Sequence, residues 1–105
     1  MRVKPGTTHD LFEEWGVTGA TLGVRLDDNQ GATSVARVTG FQEFPAGSGI
    51  YYLDEFTFPD TAGDYVLVFN DDGTTYAPDH VSTRAVVVTS SAPDGDFDGT
   101  TFAIA

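Results

Sequence analysis

The chain has 105 residues, sixteen Asp and Glu against five Lys and Arg, a formal net charge of −11 and no cysteine. A length of this order is one domain around one core, and the missing cysteines exclude disulfides, thiolate metal sites and a cysteine nucleophile. The negative balance argues against a grip on nucleic acid or on an anionic membrane surface, because both carry the same sign.

Met1-Arg2-Val3-Lys4-Pro5-Gly6 lacks the apolar stretch of a signal peptide. The expectation is therefore a product made in the cytoplasm. Residues 1–16 read as an N-terminal arm and a first edge segment, with Arg2 and Lys4 on the flexible arm. In Thr7–Gly16, Asp10 followed by Glu13 is a weak capping box, and Leu11 with Trp15 lies at helical spacing. A stretch this short ending in glycine makes a helix of few turns, and an edge strand suits the downstream pattern better; helix and strand both stay open. Trp15 reads as a core plug or a contact residue, with the core preferred.

Residues 17–89 read as the β domain. Leu22, Val24 and Leu26 alternate with polar or small neighbours, Asp27–Gly31 turns the chain, and Thr33–Thr39 resumes as a second strand. Gly40–Gly49 is a connection, with room for a short strand. Its Phe41 and Phe44 either pack inward or form an exposed patch that marks an interface. Tyr51–Phe58 carries apolar side chains at both parities, Tyr52, Phe56 and Phe58 against Tyr51 and Leu53, which predicts burial on both faces. Pro59 stops that strand and Asp60–Asp64 forms a corner. Tyr65, Leu67 and Phe69 then point one way and Val66 and Val68 the other. Asn70–Gly73 is a turn signal, Thr74–Tyr76 suits a short strand, and the β-branched run within Thr83–Thr89 closes the sheet.

Residues 90–105 change character to a small, acidic, turn-rich extension, yet one ending in Phe102, Ala103 and Ile104. Its Asp94-Gly95-Asp96-Phe97-Asp98-Gly99 has the opening spacing of a calcium loop, with carboxylates at positions 1, 3 and 5. Position 12, which needs a bidentate acid, is Ala105. An acidic linker is the better account, and Asp94, Asp96 and Asp98 are kept as a weak metal set. The loops at 27–31 and 70–73 are equally weak ones. His9 and His80 fall in no recognised catalytic or metal spacing and read as surface or loop histidines. Adjacent acids such as Asp27-Asp28 and Asp54-Glu55 are expected at this composition. Neither an enzyme nor a bound cofactor is indicated.

At Asp60-Thr61-Ala62-Gly63-Asp64-Tyr65 the chain resembles an immunoglobulin-like or fibronectin-type sandwich, whose corner tyrosine follows an Asp-x-Gly-x-Tyr pattern. Asp60, Gly63 and Tyr65 match it with one extra residue between Asp60 and Gly63, and Leu67 stands where the family's second core cysteine would be. The resemblance implies an all-β, immunoglobulin-like antiparallel sandwich. A looser similarity runs through Val17–Asp28, Gly49-Ile50-Tyr51-Tyr52 and the Pro59-x-x-x-Gly63-x-Tyr65 corner. It is to small cysteine-free structural proteins of tailed bacteriophages.

That similarity implies a non-enzymatic virion component, in capsid decoration, a head-tail connector or a tail, assembled in the host cytoplasm. Its partners are other virion proteins, as a symmetric homo-oligomeric array of this chain or as capsid, portal or tail neighbours. The expected assembly contacts are Arg2, Lys4, Trp15, Phe41, Phe44, Phe97, Phe102 and Ile104. The alternative is a cell-surface or glycan-binding module that uses Tyr51, Tyr52 and Tyr76.

Overall fold

Period-two alternation of apolar side chains sets the two layers of this molecule. A computed structural model describes residues 1–71 and 81–92. Its elements are β1 (Arg2–Val3), β2 (Thr8–Glu14), β3 (Leu22–Asp28), β4 (Thr33–Val38), β5 (Gln42–Glu43), β6 (Ile50–Thr57), β7 (Gly63–Asp71) and β8 (Val81–Val88). Among the described residues all regular elements are strands. One sheet has the order β1-β8-β7-β3-β4 and the other β2-β6-β5. Neighbours are antiparallel apart from β1, which runs parallel to β8.

The inward side chains of both sheets meet in one cluster. Leu22, Val24, Leu26, Tyr65, Leu67, Phe69, Val86 and Val88 come from the larger sheet, and Leu11, Tyr51, Leu53 and Phe56 from the smaller. Phe58, just past β6, joins them. Each such side chain taken from water contributes on the order of 1.5–3 kcal/mol. The all-β expectation therefore holds as two sheets over one core.

Residues 1–16 contribute to that core. Val3, Leu11 and Trp15 are all buried, and Met1 and Val3 accept backbone hydrogen bonds from Val87 and Thr89. The open choice at residues 8–15 is resolved as strand β2, the edge of its sheet. At the other end Ser91 accepts a hydrogen bond from the Arg2 guanidinium and Ala92 is buried, so the fold runs past residue 89.

The expected burial of both faces of Tyr51–Phe58 is corrected. Tyr51, Leu53, Phe56 and Phe58 are buried, whereas Tyr52 is only half-covered. The parity changes because Asp54 and Glu55 together oppose the single residue Asp10, a β-bulge between the pairs Leu11–Leu53 and His9–Phe56. An extra residue flips every later side chain to the opposite face. Glu55 takes a φ of 63°, and the Asp10 carboxylate accepts its N–H at 3.2 Å.

The hairpin β3–β4 forms as expected. Asp28 closes its turn by accepting the N–H groups of Gln30 and Ala32. The turn expected from Asn70 does not start there, since β7 continues through Asp71. The rest of that turn, the Thr74–Tyr76 strand, His80 and residues 93–105 lie outside the described residues.

Candidate functional site

The outer face of the three-stranded sheet is built from the polar parity of its strands. In β2 His9, Leu11 and Glu13 turn inward and Asp10, Phe12 and Glu14 outward. Register places Phe12 opposite Tyr52, and Tyr52 opposite Gln42 of β5. Phe44 follows directly after β5. The result is an aromatic cluster on the surface, with Phe12 63% and Phe44 69% exposed. The Tyr52 ring meets Phe12 at 6.2 Å and 68°, and Phe44 at 6.5 Å and 87°, both edge-on. Its hydroxyl hydrogen-bonds the Gln42 side-chain oxygen at 3.1 Å. Phe12, Tyr52 and Phe44, together with Asp10 and Asp54, line a shallow open concavity.

Two networks hold these side chains in place. Behind Phe12, Arg84 of β8 donates to the Phe12 carbonyl and to Glu13 Oε1, each at 2.9 Å, and Ser82 donates to Glu13 Oε2. The Arg84 guanidinium also lies 5.3 Å from the Phe69 ring centre, so one side chain ties the edge of one sheet to the other. Beside Phe44, the Glu43 carboxylate accepts Gly49 N–H at 2.7 Å, Thr18 Oγ1–H at 3.0 Å and Gly19 N–H at 3.3 Å. The Gly49 N–H, aided by the Thr18 and Gly19 donors, holds the Glu43 carboxyl below its ordinary value.

Gly49 has a φ of 77°, and a Cβ there would come within 3.0 Å of the Gly16–Val17 backbone. Its carbonyl accepts the N–H groups of Trp15 and Gly16. Glycine is required by both the backbone angle and the close approach.

The residues expected from sequence divide clearly. Phe44 is on the surface, at the aromatic cluster. Phe41 instead packs inward, its ring edge-on to Phe69 at 6.1 Å. Trp15 takes the preferred core position and not the contact one: it is 6% exposed and its indole N–H donates to Asp71 at 3.3 Å. Tyr51 is a correction as a surface ring. It is buried, and its hydroxyl donates to Val17 O at 2.6 Å and accepts Ala20 N–H at 2.9 Å.

His9, expected at the surface, is buried in β2 with its ring edge-on to Phe58 at 5.7 Å. The Thr7 hydroxyl donates to Lys4 O, which leaves His9 Nε2–H to donate to Thr7 Oγ1. In the 27–31 loop, the Asp27 and Asp28 carboxylates are engaged by Arg25, Thr33, Gln30 and Ala32. Among the described residues no group of three or more metal-ligating side chains converges, and no helix is long and apolar enough to cross a membrane. Tyr76, Asp94, Asp96, Asp98, Phe97, Phe102 and Ile104 lie outside the described residues.

Phe12 was missed in sequence. Its signal was an aromatic side chain at the parity of Asp10 and Glu14, where a half-buried strand places polar groups.

No protein-family model, curated protein or solved structure matches the chain.

Proposed function

We propose that this chain is an immunoglobulin-like sandwich and a non-enzymatic structural component of a tailed-bacteriophage virion. It is held among its neighbours by protein–protein contact through the outer face of β2-β6-β5. Support for the finer fold comes from the strand order. A short first strand parallel to β8, followed by β7, β3 and β4, with β2-β6-β5 opposite, matches the partition of such sandwiches into a G-F-C-type sheet and a B-E-D-type sheet. The Tyr65 hydroxyl also donates to Thr61 O at 2.7 Å, the hydrogen bond that a corner tyrosine makes to the backbone a few residues upstream.

The functional reading is carried by one observation, the surface cluster of Phe12, Tyr52 and Phe44. Aromatic rings left in water on a sheet face are what interface cores are made of. The virion setting rests on the similarity of residues 17–28, 49–52 and 59–65 to small phage structural proteins. Quantitative mass spectrometry of purified particles tests it. The chain is expected at a fixed copy number per particle, and recovery only in the soluble lysate overturns the setting.

A glycan-binding module is the second reading, favoured by the carboxylates of Asp10 and Asp54 beside Tyr52. The rings pack edge-on to one another, however, and offer no flat row for sugar stacking. Glycan binding that is lost when Tyr52 is changed to alanine would favour that module over the virion part.

A further inference from the structure

We infer that the concavity between Phe12, Tyr52 and Phe44 receives a cationic side chain, arginine or lysine, from an exposed basic segment of a different protein. The inference rests on the reading of this face as a protein–protein contact and adds the chemistry of the partner. The lining is three aromatic rings with the carboxylates of Asp10 and Asp54 beside them. Ring faces attract a cation through their quadrupole, and a planar guanidinium stacks on a ring while its fork reaches a carboxylate.

The molecule already uses this combination once. On the inner side of β2, Arg84 lies over Phe69 at 5.3 Å and binds Glu13 at 2.9 Å. The outer face of the β2-β6-β5 sheet presents the Phe12, Tyr52 and Phe44 rings with the Asp54 carboxylate beside them.

In a second copy each base already has a partner within its own chain. Arg2 is bonded to Ser91, Arg25 to Asp27, Arg37 to Asn70 and Thr21 O, and Arg84 to Glu13. The remaining base, Lys4, is also engaged. Nor does the chain's own extension suit the site. Residues 90–105 contain Asp94, Asp96 and Asp98 and no Lys or Arg, so their sign is that of the site. The complementary charge is therefore assigned to another protein, and a net charge of −11 steers a basic partner toward this one.

The bulge fixes the frame. Asp10 accepts the N–H of Glu55, which is held at positive φ, and the extra residue sets where Asp54 emerges. Strained backbone beside an exposed cluster is the pattern of a site rather than of plain surface.

The test titrates the full chain with the blocked peptide acetyl-Gly-Arg-Gly-Arg-Gly-amide, and with the same peptide carrying neutral citrulline for arginine, while following ring resonances by NMR. The arginine peptide is expected to shift the signals of Phe12, Tyr52 and Phe44, and the citrulline peptide is not. The double variant Phe12→Ala/Phe44→Ala should bind about tenfold more weakly. Asp64→Asn, an exposed acid on the other sheet, should change binding less than about twofold. Equal binding of both peptides, equal losses in both variants, or no binding at all overturns the inference. If the arginine peptide fails while Phe12→Ala/Phe44→Ala is still lost from particles, the contact reading stands and only the cationic partner falls. A glycan that competes for the same rings overturns both.

Discussion

Replacing Arg84 by alanine removes a guanidinium that, alongside Ser82, joins the back of the aromatic face to the opposite sheet. Its guanidinium donates to Phe12 O and Glu13 Oε1 at 2.9 Å and lies over Phe69. A hydrogen bond from a charged donor contributes about 1.5–3 kcal/mol. A partly exposed ion pair contributes about 0.5–1 kcal/mol, and a cation over a ring a similar amount. One group makes all three contacts, so they do not add fully, and the expected loss is about 3 kcal/mol. Glu13 is the reason the loss is not smaller. Its side chain is 12% exposed, and without Arg84 it is a nearly buried carboxylate held only by Ser82.

Urea unfolding followed by the fluorescence of buried Trp15 reads this directly, with the midpoint falling by about 1–3 M. Arg84→Lys keeps the charge but not the fork and should lose about half as much. Glu13→Gln should recover about 1 kcal/mol in the Arg84→Ala background while costing stability in the parent. A loss below about 0.5 kcal/mol for Arg84→Ala, or equal effects of Glu13→Gln in both backgrounds, refutes the reasoning.

Tyr65→Phe removes the hydroxyl that reaches Thr61 O, a carbonyl at an exposed residue that water can re-satisfy; calorimetry should show a loss of about 1 kcal/mol. Glu43 has a folded-state pKa below its ordinary 4.5, so its contribution is complete above that value and fades as pH falls through the lower folded value. The stability gap between the parent and Glu43→Gln should therefore be constant from about pH 7 to 5 and narrow below, and a gap that widens on acidification contradicts the network. Glu55→Gly relieves a left-handed residue and should be neutral to stabilising by about 1 kcal/mol despite adding a glycine; a loss of that size in urea unfolding shows that its side chain matters.

Sequence disclosed the larger sheet well and the smaller one poorly, for physical reasons. Leu22, Val24 and Leu26, and likewise Tyr65, Leu67 and Phe69, keep one parity along the whole strand, so alternation alone named their buried face. In β6 the parity switches at Asp54 and Glu55 without a glycine to announce the bulge, and an inserted residue looks the same in sequence as a strand buried on both sides. In β2 the inward set is His9, Leu11 and Glu13. It is polar at two of three positions because Thr7 and Arg84 satisfy those groups, and Arg84 is 71 residues away. Phe44 was legible as a candidate for the surface because its connection offered two phenylalanines and one surface. That Phe41 would be the one to go inward depended on Phe69, and the pairing of Phe12 with Tyr52 on register across the sheet.

Incorporation of the double variant Phe12→Ala/Phe44→Ala into particles tests the central claim most directly. Both rings are mostly in water, so the variant should fold with a urea midpoint close to that of the parent. The account predicts that this folded protein stays in the soluble fraction while the parent sediments with particles. Normal incorporation of the folded variant contradicts the claim that this face makes the contact.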